Sequence, residues 1–286
     1  MKKIVSLVVA ALVMCSCADS FLSEEPVGEF MPEQVESEEN IEGIVIGAYA
    51  VLDGYYASDA INSGCSNWQF GDVVSDDAYK GGGGTGDQNQ IHLMEIFNAN
   101  PTGIDFEARW AALYEGVKRC NQAIRLLSNS TVKNKEQRLA EMRFLRGHYY
   151  FNLKVIYNLI PWIDETVVDP NEYHTKSNME FTSDQLWEKI LGEFSAAYQV
   201  LPESQSDYGR PTKMAAKAYM AKVYLYQSKW KECLSACDEV IQSGKYTLYP
   251  DFREVFLPEN DNNSEIILRF SYLLTMERPV IKTEVM

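Results

Sequence analysis

The residues best suited to covalent chemistry are two cysteines one position apart. In the stretch LVVAALVMCSCADSFL, from Leu7 to Leu22, an apolar run follows Lys2 and Lys3 and ends in small and polar residues, the build of a secretory leader. A thiol at the end of such a leader takes fatty-acyl chains. Met14, Cys15 and Ser16 precede Cys17, which is assigned as the acylated first residue of the mature chain. Cys15 fits less well because bulky Met14 would sit beside the cut. An ordinary leader with incidental cysteines is the alternative. The run from Ile4 to Met14 is too short for a spanning helix, which needs about 20 apolar residues. Two or more acyl chains hold a protein stably at a membrane where one does so marginally, so the expectation is a tether and not an embedded segment.

The second candidate group is Trp68, Asp76, Asp77 and Tyr79, in the polar segment before Gly81. An exposed aromatic ring beside carboxylates suits a sugar, whose C–H faces rest on rings while its hydroxyls form hydrogen bonds. Trp68 as a core anchor and the aspartates as loop caps are the competing assignments. Other motifs fail on their chemistry. In GGGGTGD, Gly81 and Gly86 have phosphate-loop spacing, but Asp87 and Gln88 stand where a cation and a hydroxyl are required, and no apolar strand leads in. ENDNNSE, from Glu259 to Glu265, lacks the central Gly of a calcium loop. His92, His148 and His174 have no His or Cys at ligand spacing, and no Ser sits in a strained Gly-flanked turn. No cofactor, metal or catalytic group is therefore expected.

Composition narrows the classes further. A formal net charge of -15 with a pI near 4.7 excludes nucleic acid as a natural partner, since phosphate binding needs clustered Lys and Arg. Six cysteines, two of them, Cys15 and Cys17, at the lipid-attachment signal, are too few for a disulfide scaffold of this size. Cys233 and Cys237, at i and i+4, read as small buried helix residues, with mutual contact as the alternative.

The elements that position these residues are helical. Residues 1–16 form the leader and residues 17–38 an acidic tether carrying Pro26 and Pro32. A first helix is predicted near Ile41 to Leu52, then a Gly-, Ser-, Asn- and Asp-rich segment from Ala57 to about Thr102 without helical period. Trp110, Leu113, Val117, Cys120, Ile124 and Leu127 recur on one helical face. The next helix carries two stripes, one from Leu139, Met142, Leu145, Tyr149, Leu153 and Ile156, the other from Ala140, Phe144, Phe151 and Val155. It is therefore expected to pack on both sides and to end before Pro161. Residues 158–181 read as an insertion. Thr182 opens a helix with a capping box that runs to Leu201 and stops at Pro202. A helical hairpin follows, with one stripe of Met214, Ala218, Ala221 and Leu225 and another of Trp230, Leu234, Cys237 and Ile241, closed by Gly244. Trp110, Trp187 and Trp230 are assigned to the core. A short extended segment is expected near Ile266 to Phe270. Helix, short turn, helix is the unit of a tetratricopeptide array, so the fold class is all-α, an irregular tetratricopeptide-like helical repeat array with long loop insertions.

Six blocks in order then carry a family resemblance: CADSFLSEEP; Gly47, Ala48 and Tyr49; RCNQAI from Arg119; RFLRGHYYFNL from Arg143; LWEKILGEFSAAYQVLP ending at Pro202; and GRPTKMAAKAYMAKVYLY with SGKYTLYPDF. In these the chain resembles the SusD-like (RagB/SusD) family of outer-membrane nutrient-uptake lipoproteins. It departs in Gly147, where the family usually carries Ala, and in length, so it is expected to be C-terminally truncated. Residues 39–270 would form the family's N-terminal helical-repeat domain and residues 271–286 the start of its C-terminal portion.

The resemblance implies a non-enzymatic cell-surface lipoprotein, lipid-anchored in the outer membrane. It would capture a glycan or other nutrient for a SusC-like TonB-dependent transporter. Family glycan contacts are not held at fixed motif positions, so the resemblance assigns no residue to the ligand. Two other readings are a lipid-anchored adaptor binding only protein and a nonfunctional fragment lacking a terminal cap.

Overall fold

A computed structural model describes residues 37–53, 68–207, 209–260 and 263–269. Cys17, the leader, the tether up to residue 36, Cys65 and residues 270–286 lie outside them. The helices are α1 (Glu38–Tyr49), α2 (Asn89–Glu95), α3 (Ile104–Asn129), α4 (Lys135–Tyr157), α5 (Pro170–Tyr173), α6 (Ser183–Val200), α7 (Lys213–Tyr226) and α8 (Trp230–Gln242). The described residues contain no strand. The expected all-α, tetratricopeptide-like order is present: α3, α4, α6, α7 and α8 each pack on the next, and α1 packs across α3 and α4.

Local chemistry fixes the helix ends. Thr182 Oγ1 accepts from Gln185 N at 3.3 Å while Gln185 Oε1 accepts from Thr182 N at 2.9 Å, which completes the capping box of α6. Thr212 caps α7 by its side chain alone, which accepts from Ala215 N. The described part of the Gly-, Ser-, Asn- and Asp-rich segment, residues 68–102, is more structured than its composition suggests, because Trp68–Asp72 forms a π turn and α2 follows the glycines. Their apolar residues are too few to show a period, yet Val73, Ile91 and Met94 are buried. Residues 263–269 carry no regular element, and Ile267 and Leu268 pack on the core.

Helix α4 is enclosed on both sides as its two stripes require. Met142, Phe144, Leu145, Tyr149, Tyr150 and Leu153 are fully buried, while Val155, at the far end of the second stripe, faces solvent. Phe144 meets the Phe194 ring edge-on at 5.6 Å, and Phe194 stacks on Tyr219 at 4.8 Å. A methyl at Gly147 would lie 3.0 Å from the Phe194 ring, so glycine here makes room for a large neighbour. Gly116 is tighter: a methyl there would stand 2.6 Å from the Tyr149 ring. Gly116→Ala is expected to lower stability by about 1–3 kcal/mol through overpacking, read as a lower urea midpoint, despite the better helix propensity of alanine.

Two ionic clasps cross the array. In the first, Glu141 is fully buried. Its carboxylate accepts from Arg138 Nη1 at 2.7 Å, Arg210 Nη1 at 2.7 Å and the Tyr49 hydroxyl at 3.1 Å. Glu42 on α1 pairs with the same two arginines. In the second, Arg146 is 2% exposed and binds Glu193 through Nε at 3.1 Å and Nη2 at 2.8 Å. Its Nη1 donates to Asn121 Oδ1 at 2.8 Å and to Glu165.

His148 sits among these helices with Nδ1 2.7 Å from the Tyr219 hydroxyl. Burial, aided by the positive charges of Arg109 and Lys222, lowers its pKa to about 3 from the ordinary 6.5. The unfolded chain thus takes up a proton between these values that the folded chain refuses. The stability linked to neutral His148 is present above about pH 6.5 and is lost as pH falls toward about 3. Urea midpoints of His148→Gln are expected to slope less steeply than wild type between pH 6.5 and 4.5. That window lies above the ordinary carboxylate value of 4.5.

The stripe assigned to α8 is corrected. Trp230, Leu234 and Ile241 are 63%, 63% and 69% exposed, and Ala236 and Val240 are the buried residues of this helix. Trp230 is therefore no core residue, in contrast to Trp187, which is buried as assigned. Periodicity shows that a helix has an apolar stripe. It does not show whether an element is present to cover it, and only a short 3-10 turn, Pro258–Asn260, follows α8 among the described residues.

Candidate functional site

The insertion after α4 is held against α3 and α4 by side chains that satisfy its backbone. The Tyr114 hydroxyl donates to Pro161 O at 2.7 Å. The Tyr150 hydroxyl donates to Ile163 O and accepts from Ile163 N, both at 2.7 Å. Asn121 Nδ2 also donates to Ile163 O, at 2.9 Å. The Trp162 ring stacks on Tyr150 at 4.0 Å, with Lys189 Nζ 5.1 Å from its centroid. Farther along, Arg125 Nη1 donates to Val167 O at 3.4 Å, and Arg146 clasps Glu165.

These contacts leave an open groove of about 330 Å³ between α3 and the insertion. Trp110, Tyr114, Tyr173 and Pro161 give it apolar walls, and Glu115, Lys118 and His174 supply polar groups. Trp110 is fixed by Tyr157, edge-on at 4.9 Å, and by Tyr114, tilted at 4.8 Å. Glu115 is oriented by Arg119 Nε at 2.9 Å. Burial pushes the Tyr114 phenol far above its ordinary value, which keeps it a neutral donor. The Glu165 carboxyl is held below its usual range: burial alone would raise it, but the charge and hydrogen bond of Arg146 prevail. A rigid aromatic wall with fixed polar groups at its edge can receive a ligand that is apolar on its faces and hydroxylated on its rim.

The residues singled out from sequence lie elsewhere. Trp68 is half-buried at the start of the π turn, and Asp76 and Asp77 are exposed on the following turn. There the Ser75 hydroxyl accepts from Asp77 N at 3.1 Å. Tyr79 is 75% exposed, next to Lys80, whose backbone N–H donates to Glu95. None of the four lines the groove. Trp110, assigned to the core, is only partly buried and is the groove's largest ring. Tyr114, Glu115, Lys118, Tyr173 and His174 were not singled out. The available signal was an insertion carrying Pro161, Trp162 and Tyr173 beside a helix with Trp110 and Tyr114 four positions apart. GGGGTGD is held by its own hydrogen bonds: Asp87 accepts from Gly83 N at 2.9 Å and Lys80 Nζ donates to Gly84 O at 3.1 Å. Among the described residues no cluster of His, Cys, Asp or Glu could hold a metal ion, and no helix is long and apolar enough to cross a membrane.

The profile of the SusD-like family, described as "Starch-binding associating with outer membrane", matches residues 20–225. The chain belongs to the SusD-like family. The resemblance carried by the ordered blocks is thus confirmed, with the helical fold it implied. Curated relatives include SusD-like protein P25 of Formosa agariphila, 23% identical over 93% of this chain and 51% of its own length. SusD-like protein P2 of the same organism is 25% identical over 88% and 49%. Among solved structures, Surface glycan-binding protein A from Bacteroides thetaiotaomicron in complex with laminarihexaose superposes with a TM-score of 0.65 at 28% identity, covering 78% of this chain and 47% of that one. A laminarin-binding SusD-like protein gives 0.69 at 25% identity, covering 82% and 51%. The SusD-like chain thus spans about half the length of the curated relatives it matches.

Proposed function

We propose that this SusD-like chain captures an oligosaccharide at the outer membrane in the groove between α3 and the insertion, without a covalent step. The observation that carries the reading is the groove itself: Trp110, Tyr114 and Tyr173 beside Glu115, Lys118 and His174, in a chain whose structural relatives include one solved with laminarihexaose and one named for laminarin binding. Sugar C–H faces would rest on the rings and hydroxyls would reach the polar groups. Acylation of Cys17 would tether the body by residues 17–38 and keep it at the surface, from which it would pass its ligand to a SusC-like TonB-dependent transporter. In this scheme residues 39–270 are the repeat domain.

Titration calorimetry of the full chain against a glycan panel that includes laminarihexaose tests the reading. At least one oligosaccharide is expected to bind, and Trp110→Ala to weaken it by roughly tenfold or more, about 1.4 kcal/mol. Binding that ignores Trp110 and Tyr173 would remove the groove from the account. A chain that binds no glycan but retains a protein partner would favour the adaptor reading.

A further inference from the structure

The two walls of the groove are held unequally. Up to Val167 the insertion is fixed from outside itself: Tyr114, Asn121, Tyr150 and Arg125 bond its carbonyls, and Val167 is buried. It is fixed again at Phe181, which packs on the core with Lys189 Nζ 4.3 Å from its ring centroid. Residues 168–180, between these anchors, differ. Among the described residues their hydrogen bonds run only within the segment: Glu172 N donates to Asp169 O at 2.9 Å, Thr175 N to Glu172 O at 3.0 Å, Lys176 N to Tyr173 O at 3.3 Å and Met179 N to Ser177 Oγ at 3.0 Å. Val168 and Met179 are 64% and 71% exposed, and of the segment's described side chains only Tyr173 and Lys176 are half-buried. Its middle is nonetheless preformed. Asp169 Oδ1 accepts from Asn171 N at 2.8 Å, Pro170 opens α5, and the end of that turn brings Tyr173 and His174 to the groove. A stretch with self-contained turns, little burial and firm ends opens at low cost in free energy.

We propose that residues 168–180 form a lid that swings about Val167 and Phe181 and closes on a sugar in the groove, laying Tyr173 on the face opposite Trp110. The inference rests on the groove reading above and adds a moving part to it. A sugar ring has two C–H faces. Trp110, fixed by Tyr157 and Tyr114, covers one of them. The other stays in water unless a second ring arrives from the insertion, and Tyr173 is the aromatic residue that the insertion contributes to the groove lining. Hinge closure confines the motion to a few residues at the ends of a rigid piece, which is the arrangement of a preformed turn between two anchors. Lid contacts form only after the sugar is seated, so they slow its departure more than they change its arrival.

Hydrogen–deuterium exchange of the full chain, free and with laminarihexaose and the other oligosaccharides of the panel, tests the lid together with stopped-flow binding kinetics. In the free chain, amides of residues 168–180 are expected to exchange roughly tenfold or more faster than those of residues 159–167. An oligosaccharide that binds is expected to slow the exchange of residues 168–180 by roughly tenfold or more. Tyr173→Ala is expected to speed dissociation of that oligosaccharide roughly fivefold or more, with association changed less than about twofold and circular dichroism unchanged. Equal protection of residues 159–167 and 168–180 in the free chain overturns the lid. A slower association with unaltered dissociation in Tyr173→Ala does the same. Binding that is lost in Trp110→Ala but leaves the exchange of residues 168–180 unchanged overturns the lid alone, and the groove reading then stands. If no oligosaccharide of the panel binds, the groove reading falls and the lid falls with it.

Discussion

Glu141→Ala is expected to lower the free energy of unfolding by about 3–5 kcal/mol, the range for breaking a buried ion pair from one side. Glu141 holds two guanidiniums and a phenol at once: Arg138 on its own helix, Arg210 from the connection between α6 and α7, and Tyr49 on α1. Burial pushes the Tyr49 phenol well above its ordinary value, with the Glu141 charge adding to the effect. Burial alone would lower Arg210, but the Glu141 and Glu42 carboxylates raise it. Truncation leaves both arginines in place facing only Glu42, whose side chain is 30% exposed, and Asp207. The loss should appear as a lower urea midpoint at neutral pH. Glu42→Ala should cost distinctly less, since solvent already reaches that carboxylate and Glu141 remains to pair the arginines.

Arg146→Ala is expected to be of similar size, about 3–5 kcal/mol, and to reach the groove as well. Its removal strands Glu193 in the core and frees Glu165, which anchors the insertion behind Ile163 and Pro161. Arg146→Lys keeps the charge but cannot reproduce a guanidinium forked toward Glu193, Asn121 and Glu165 together. It should therefore retain more stability than Arg146→Ala while still losing glycan affinity through a loosened insertion. The same clasp has an acid signature. The folded Glu165 carboxyl lies below its ordinary 4.5, so its contribution is present above about pH 4.5 and disappears as pH falls below it. Loss of binding should set in there before global unfolding, read by titration calorimetry and circular dichroism on the same samples.

Most of the fold was legible because the long helices are strongly periodic. The stripes of α3 and α4, the capping box at Thr182 and the stop at Gly244, whose φ is +65°, are local signals, and the structure keeps them. Where several partners must meet, sequence carried less. Glu141 and Arg146 read as ordinary helix charges, because what buries them comes from Arg210 and Glu165, 69 and 19 positions away. The groove was hidden for the same reason. Trp110 belongs to an apolar stripe and counts as core on spacing alone, yet the insertion that passes over it leaves part of it open. Trp68, Asp76, Asp77 and Tyr79 have suitable chemistry but sit on the turn before the glycine loop, away from the groove. The α8 stripe misled in the opposite direction, since an exposed stripe has the same period as a covered one.

Hydrogen–deuterium exchange of the full chain, with and without the tightest-binding oligosaccharide of the panel, tests the central claim most directly. The account predicts slowed exchange in the α3 segment from Phe106 to Lys118 and in the insertion from Pro161 to His174. Protection confined to the turn from Trp68 to Tyr79, or none in either groove segment under saturating ligand, would contradict it.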